Sequence, residues 1–367
     1  MTVAPLRALA FYLPQFHPIP ENNAWWGPGF TEWRNVAPAR PRFAGHTQPH
    51  LPADLGFYDL RLPETRAAQA ELARAHGLSG FVYYHYWFNG RRLLEQPFDG
   101  VRRLGQPDFP FCLCWANESW RRTWDGRTGE YLIRQEHSAE DDLAHLRWLA
   151  EQFGDRRYLR VNGRPVFLIY RASQLPDAAA TLNRWRTEAL RLGVGELYLC
   201  RVESFPDEHG DPHASGFDAA VQFQPDWTQL GEPLRRGRLW RWARRLRLAG
   251  AGYAQHRVYD YAEFARRMAA LPPPPYLRYP GVMPGWDNTA RRPSGAVIFK
   301  NSTPAAYEAW LQRLRQQFVP PSPDENLLFI NAWNEWGEGA HLEPDQRHGR
   351  AYLEATRRVL APEGHAA

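Results

Sequence analysis

The sequence predicts an α/β fold, a (β/α)8 TIM-type barrel with long loops after strand 1 and between strands 6 and 7. Three observations lead there. Eight short apolar runs alternate with helix-like stretches, the pattern of repeated βα units. The first run ends in Pro14-Gln15-Phe16-His17-Pro18, without the glycine-rich first turn that an open doubly wound sheet uses to hold phosphate. Residues with unusual chemistry follow the ends of these runs, where a barrel builds its active site.

The expected strands are Leu6–Leu13, Gly80–Tyr86, Phe109–Trp115, Pro165–Tyr170, Glu196–Arg201, Ala219–Gln224, Gly281–Pro284 and Leu327–Trp333. Between them, Pro63 opens a helix that runs to His76 and stops at Gly77, in keeping with proline-first, glycine-last helix signals. Ser138 and Asp141 resemble a capping box ahead of a helix ending near Phe153. Thr303-Pro304 starts a helix reaching about Phe318, and a last one covers Gly349–Leu360. A 367-residue chain accommodates this as one catalytic domain, 1–367. A basic helical insertion is expected within it at 226–275. There Leu239, Trp242 and Leu246 fall at helical spacing within Arg235–Arg247. Such a helix either makes peripheral contact with an anionic membrane or packs on the barrel with a solvated arginine face. Pro272 to Pro275 form a stiff connector after it.

Composition excludes several classes. No run of eighteen apolar residues offers a membrane span, and Met1 to Arg7 lead directly into a strand without the features of a secretory signal. The three cysteines, Cys112, Cys114 and Cys200, read as reduced core thiols. A cytoplasmic location, extending to the inner face of the membrane if the basic helix binds there, is the expectation. A net charge of +5 is too mild to imply nucleic acid. No cofactor pattern stands out. No metal is expected either: His46 and His50 are four apart but flank Pro49, which rules out a helical ligand pair. Aromatic residues make up 14% of the chain and include 16 tryptophans. Indole rings stack on the C–H faces of sugars, so tryptophans in polar loops favour glycan binding, although they also fill large cores.

The candidate residues follow the strand ends. After strand 1 come Trp25, Trp26, Glu32 and Trp33, and after strand 2 His85, Tyr86 and Trp87. Trp115, Asn117, Glu118 and Trp120 surround the end of strand 3; Trp286, Asp287, Asn288 and Arg291 follow strand 7. Strand 8 runs into Trp333, Asn334, Glu335, Trp336, Gly337 and Glu338. Cleavage of a glycosidic bond generally needs two carboxyl groups, one donating a proton to the leaving oxygen. Glu335 and Glu338 suit this if Gly337 and Gly339 let the chain turn sharply enough for both to face one cavity, with Trp333 and Trp336 as its walls. The plain alternative is that two acids decorate a helix N-terminus. Glu118 is a second candidate, opposite Glu335 across the barrel mouth. His85 reads as a packed, hydrogen-bonded residue more readily than as a base. The remaining residues named here are expected to bind substrate.

With these residues in view, the chain resembles the WbsX-like family of polysaccharide-locus proteins, related to glycoside hydrolase family 99. The resemblance is carried by Ala10-Phe11-Tyr12-Leu13-Pro14-Gln15-Phe16-His17, Trp25-Trp26-Gly27, Phe30-Thr31-Glu32-Trp33, Tyr83-Tyr84-His85-Tyr86-Trp87-Phe88 and Cys114-Trp115-Ala116-Asn117-Glu118. It continues in Trp286-Asp287-Asn288-Thr289, Asn331-Ala332-Trp333-Asn334-Glu335-Trp336-Gly337-Glu338-Gly339 and Leu342-Glu343-Pro344. It implies a (β/α)8 barrel acting on a polysaccharide or oligosaccharide, including lipid-linked forms. In family 99 the closing motif is Asn-Glu-Trp-His-Glu-Gly; its first glutamate deprotonates the sugar 2-hydroxyl and its second serves as acid, then base. By position, the resemblance gives these roles to Glu335 and Glu338, and Gly337 departs from the family 99 histidine. The WbsX-like family is commonly described as glycosyltransferases, yet the chain has no Asp-x-Asp motif and no glycine-rich phosphate loop. Three readings stay open: a retaining glycosidase or transglycosylase, a glycosyltransferase of O-antigen or capsule assembly, and a non-catalytic glycan-binding barrel.

Overall fold

Strand β1 (Arg7–Tyr12) is buried from Ala8 onward and pairs in parallel on both sides, which places it in the interior of a sheet. The computed structural model describes residues 6–122, 130–235 and 251–361. Within it β1 lies between β2 (Leu78–Phe88) and β8 (Leu327–Ile330). From β2 the parallel sheet continues through β3 (Phe111–Trp115), β4 (Arg164–Ile169), β5 (Tyr198–Glu203) and β6 (Ala219–Gln222). All eight expected strands are present, each within a few residues of its expected limits.

Strand β7 closes the circle in two pieces, Arg278–Tyr279 and Gly281–Val282, on either side of Pro280. The first piece pairs with β6 (Ala220 opposite Arg278), the second with β8 (Gly281 opposite Phe329). Proline cannot donate to a ladder, so the strand changes partners where its hydrogen bonding is interrupted. Only the Gly281–Pro284 half was expected from the sequence. Gly281 is required by proximity: a Cβ there would sit 1.7 Å from the Gln222 carbonyl oxygen.

The helices form as their end signals dictate. Helix α1 (Pro63–Ala75) starts at its proline, and Gly77 leaves it at φ +86. Helix α2 spans Gln96–Leu104. In α3 (Ala139–Phe153) the Ser138 hydroxyl accepts from the Asp141 amide at 3.1 Å. The reciprocal half of the capping box is absent, because the Asp141 carboxylate accepts instead from the Trp87 indole N–H at 2.9 Å. Helices α4 (Ala178–Arg191), α5 (Tyr261–Ala270), α6 (Pro304–Gln317) and α7 (Ala351–Leu360) follow; Thr303 caps α6. Two 3-10 turns, and no α-helix, join β5 to β6.

Two features add to the expected architecture. Arg257–Asp260, from the 226–275 insertion, pairs in parallel with Val297–Lys300 as a small separate sheet. The loop after β1 is ordered by two short helices, Pro20–Trp26 and Trp33–Val36, and is stitched to the segment after β8. Ala53 N–H donates to the Pro344 carbonyl and Gln346 N–H to the Leu51 carbonyl, each at 2.9 Å. Most of the expected basic helix Arg235–Arg247 lies outside the described residues. Among those described, no helix is long and apolar enough to cross a membrane. All three cysteines are free and buried.

Because Gly281 has no room for a methyl group, Gly281→Ala should lower stability by about 3 kcal/mol. The check is the midpoint of chemical denaturation at unchanged m-value; a wild-type midpoint would contradict this account of barrel closure.

Candidate active site

At the C-terminal end of the barrel the loops surround a cavity of about 610 Å³. Three neighbouring strands, β7, β8 and β1, send residues to one wall of it. After β8, Asn334–Glu335 turns back on Ala340–His341 as a tight antiparallel hairpin, with Trp336–Glu338 as its 3-10 tip and Gly339 at φ +61. Asn334 fixes this turn to β1: its side chain accepts from Leu13 N–H at 2.7 Å and donates to the Leu13 carbonyl at 3.0 Å. Glu335 and Glu338 therefore face the same cavity.

Arg291, from the loop after β7, reaches between them. Its Nη2 meets Glu335 Oε2 at 2.9 Å, its Nη1 meets Glu338 Oε1 at 2.8 Å, and its Nε meets Glu32 Oε1 at 2.9 Å. Gly337 makes this possible through space and not through backbone freedom: a Cβ there would lie 2.1 Å from Glu32 Oε1 and 2.7 Å from Arg291 Nε. The turn thus relies on Gly339 for its conformation and on Gly337 for room.

One guanidinium cannot neutralise three carboxylates, of which Glu32 and Glu335 are buried and Glu338 is partly so. Removal from water disfavours each charge, and every added carboxylate repels the other two. Burial, reinforced by Glu338 and Glu32 and only partly opposed by Arg291, pushes the Glu335 pKa up to about 8. Glu338 is raised in the same direction, again mainly by burial. Burial works against the charge on Arg291, but the three carboxylates outweigh it and hold the arginine firmly protonated. The Glu335–Glu338 pair therefore retains a proton near neutrality, the state that acid/base chemistry with one donor and one acceptor requires.

A second cluster lies across the cavity. Arg171, after β4, pairs with Glu118 at 2.8 Å and with Glu208 at 3.1 Å. Asn117 positions it by accepting from Arg171 N–H and donating to its carbonyl, both at 2.8 Å. Burial raises the pKa of Glu118, opposed by Arg171.

The alternation of strand residues decides which aromatics reach the cavity. On β2, Tyr84 and Tyr86 point inward and line it. His85 and Trp87 point outward onto α3, where His85 meets His145 at 2.9 Å and stacks on Trp148, and Trp87 holds Asp141. His85 is buried as a neutral ring, its pKa depressed to about 3 by desolvation. Trp115 also faces the helices, with its ring 4.7 Å from His145. Trp26 and Trp120 line the cavity, and Trp25 supports Trp120 edge-on at 5.8 Å.

The other expected contacts lie elsewhere. Trp333 and Trp336 are not walls of the cavity but buried beneath it, Trp333 against Phe81 and Trp336 on the His341 ring at 3.8 Å. Trp33 is buried, donating to the Tyr58 carbonyl at 2.9 Å. Glu32 sits behind Arg291 with no exposed surface. Asp287 is held by His46 at 2.6 Å, Gln48 at 2.9 Å and Thr289, and Asn288 caps Val297 N–H. With Trp286, Asp287 borders a separate cavity of about 220 Å³. Cavity residues not singled out from the sequence include Tyr170, Phe223, Tyr131 and Gln174. The alternation of β2 would have identified Tyr84; the others carried no local signal. Among the described residues, His50, His341 and Asp345 also bring three metal-ligating atoms within 4.8 Å of one another.

A sequence profile of the family described as Glycosyltransferase WbsX matches residues 8–356. The chain belongs to the WbsX glycosyltransferase family. It is 48% identical over 357 residues to the WxcX proteins of two Xanthomonas campestris pv. campestris strains, covering 97% of this chain and 50% of each relative. The chain thus spans about half the length of the curated relatives it matches. Among solved structures it is similar to a glycoside hydrolase-like protein (TM-score 0.63, 15% identity, covering 98% of this chain and 95% of that one). It is also similar to a GH99 endo-α-mannosidase from Bacteroides thetaiotaomicron (TM-score 0.55, 15% identity, covering 96% of each chain). At that identity the structural likeness speaks for the barrel fold alone. The family is described as one of glycosyltransferases, and the fold is a barrel like that of these solved structures.

Two outcomes follow from the Arg291 cluster. Gly337→Ala should displace Glu32 or Arg291 and cost about 1–3 kcal/mol of stability, read as a lowered denaturation midpoint. Between pH about 4.5 and about 8, Glu335 holds a proton in the folded chain that it lacks when unfolded, so its contribution to stability is lost as pH rises through that window. The melting temperature of the wild type should therefore fall more steeply from pH 5 to pH 8 than that of Glu335→Gln; equal slopes would contradict the assignment.

Proposed function

We propose that this WbsX protein cleaves or transfers glycosidic bonds in a polysaccharide or oligosaccharide, lipid-linked forms included, with retention of configuration through Glu335 and Glu338. The single observation that carries this reading is that the two carboxyl groups face one cavity and meet one guanidinium. Trp26, Trp120, Tyr84 and Tyr86 offer apolar faces for sugar rings, while Glu118 is available to a hydroxyl.

In the proposed course, bound substrate leaves the proton retained by the pair on Glu338, and the Glu335 carboxylate takes the proton of the sugar 2-hydroxyl as O2 attacks C1 from the face opposite the leaving group. The C1–O bond breaks, and Glu338 donates its proton to the departing oxygen. In the second half, Glu338 takes a proton from water or from an acceptor hydroxyl, whose oxygen attacks C1. The C1–O2 bond opens and Glu335 returns the proton to O2. Two inversions at C1 give net retention. The substrate class is then a glycoside with a free 2-hydroxyl trans to its leaving group. The burial that raises the Glu335 pKa also strengthens its basicity once ionised, which suits abstraction of a weakly acidic hydroxyl proton.

Whether water or a second sugar accepts the glycosyl group sets hydrolysis against transfer, and the family description favours keeping transfer in view. A phosphate-bearing donor would have to bind without the Arg291 fork, which carboxylates already occupy; Arg121 and Arg292, both lining the cavity, are the cations that could meet it. Protection against thermal unfolding by a sugar nucleotide, and not by free glycan, would support that reading.

Glu338→Gln should reduce turnover of a bound glycan by at least about 100-fold while leaving its affinity within a few-fold of wild type, measured by product release alongside calorimetric binding. A 2-deoxy analogue of the same substrate should bind without turning over. Normal turnover in Glu338→Gln would overturn the proposal.

A further inference from the structure

Away from the large cavity, the loop after β1 and the segment after β8 meet at a second cluster that the glycosidic chemistry does not use. His341, on the returning strand of the hairpin, is locked by its stack on Trp336 and by contact of its Nδ1 with the Glu343 carbonyl at 3.0 Å. A carbonyl only accepts, so Nδ1 carries the proton and Nε2 presents a lone pair. Asp345 uses Oδ1 for the amides of Arg347 at 2.9 Å and His348 at 2.6 Å, which orients Oδ2 towards His341. His50 Nδ1 approaches from the first loop, held there by the isolated bridge between Pro52 and Asp345 and by the backbone bonds around it.

The three facing atoms are 3.4 Å (His50 Nδ1 to His341 Nε2), 3.8 Å (His341 Nε2 to Asp345 Oδ2) and 4.0 Å (His50 Nδ1 to Asp345 Oδ2) apart. Both separations from Asp345 exceed hydrogen-bonding distance, so neither imidazole satisfies that oxygen directly. In a triangle with these sides, the point equidistant from the corners lies about 2.2 Å from each, close to the length of zinc–nitrogen and zinc–carboxylate bonds. The imidazole nitrogens are at the outer limit of a hydrogen bond and both separations from Asp345 lie beyond it, while all three spacings fit three ligands around one ion. The Glu343 carbonyl and the Arg347 and His348 amides supply the outer contacts that fix ring tautomer and carboxylate orientation at metal sites. The neighbouring cavity of about 220 Å³ gives a fourth position to water.

We propose that His50, His341 and Asp345 bind a divalent transition-metal ion of the zinc class. Such an ion ties the loop after β1 to the hairpin that carries Glu335 and Glu338, and its role is to hold that hairpin in place. Sequence spacing gives no hint of it, since His50 lies 291 residues from His341 and is separated by Pro49 from His46, the nearest histidine in the chain.

The test uses the full chain, dialysed against EDTA and then titrated with Zn2+ by calorimetry and with Co2+ by visible spectroscopy. One equivalent of Zn2+ should bind and raise the melting temperature by several degrees, and Co2+ should give the d–d bands of a four-coordinate nitrogen–oxygen site. His50→Gln, at a partly exposed loop position, should weaken Zn2+ binding by at least about 100-fold. Absence of saturable Zn2+ binding in the wild type, octahedral-type Co2+ bands alone, or wild-type affinity in His50→Gln would each overturn the proposal. The Co2+ spectrum of the wild type decides independently should the variant fail to fold. Glycan turnover is not a readout here, so failure of the metal site and failure of the glutamate chemistry remain distinguishable.

Discussion

The Arg291 side chain, with Glu32, Glu335 and Glu338 arranged around it, is the contact on which the mouth of the barrel depends. It draws together loops from three adjacent strands. It also keeps two acids within one cavity that would otherwise separate by repulsion. Isolated buried ion pairs rarely add much net stability, because desolvation offsets their attraction. The value of this cluster lies elsewhere: burial, with more than one carboxylate around a single cation, raises the pKa of Glu335 and Glu338, the condition that the proposed acid/base chemistry needs. The same arrangement explains Gly337. Where family 99 has a histidine, this chain has its Glu32–Arg291 contact, and no side chain at 337 could coexist with it.

Much of the fold was legible. The eight apolar runs became the eight barrel strands because burial on both faces leaves no other use for such segments. Helix ends followed their prolines, glycines and capping hydroxyls. Barrel closure was only half visible, since Pro280 divides β7 into two short pieces, the first of which, Arg278–Tyr279, has no apolar run of its own. The small sheet formed by Arg257–Asp260 was hidden in a segment whose composition spoke mainly of charge.

The site was read less evenly. Glu335, Glu338 and Arg291 stood out by position and residue type, and they meet. The tryptophans fit the expectation least, because abundance does not imply exposure: Trp115, Trp333 and Trp336 are core, and Trp87 faces a helix. Alternation along β2 would have exchanged His85 and Trp87 for Tyr84 and Tyr86. Arg171, by contrast, gave no local signal, since its importance comes from the Glu118 and Glu208 that the barrel brings to it.

The stitching of the first loop to the last has a consequence for how the molecule comes into being. Glu32 and Arg291 are 259 positions apart, and the acids they hold come later still. During synthesis, most of the barrel can leave the ribosome before any part of the glutamate pair exists, and the last strand must insert between β1 and β7 to create it. Contacts so distant in sequence form late, because loop closure over long stretches is entropically unfavourable. The Glu335–Glu338 pair therefore depends on contacts that form late, and a chain without its last barrel strand cannot assemble it.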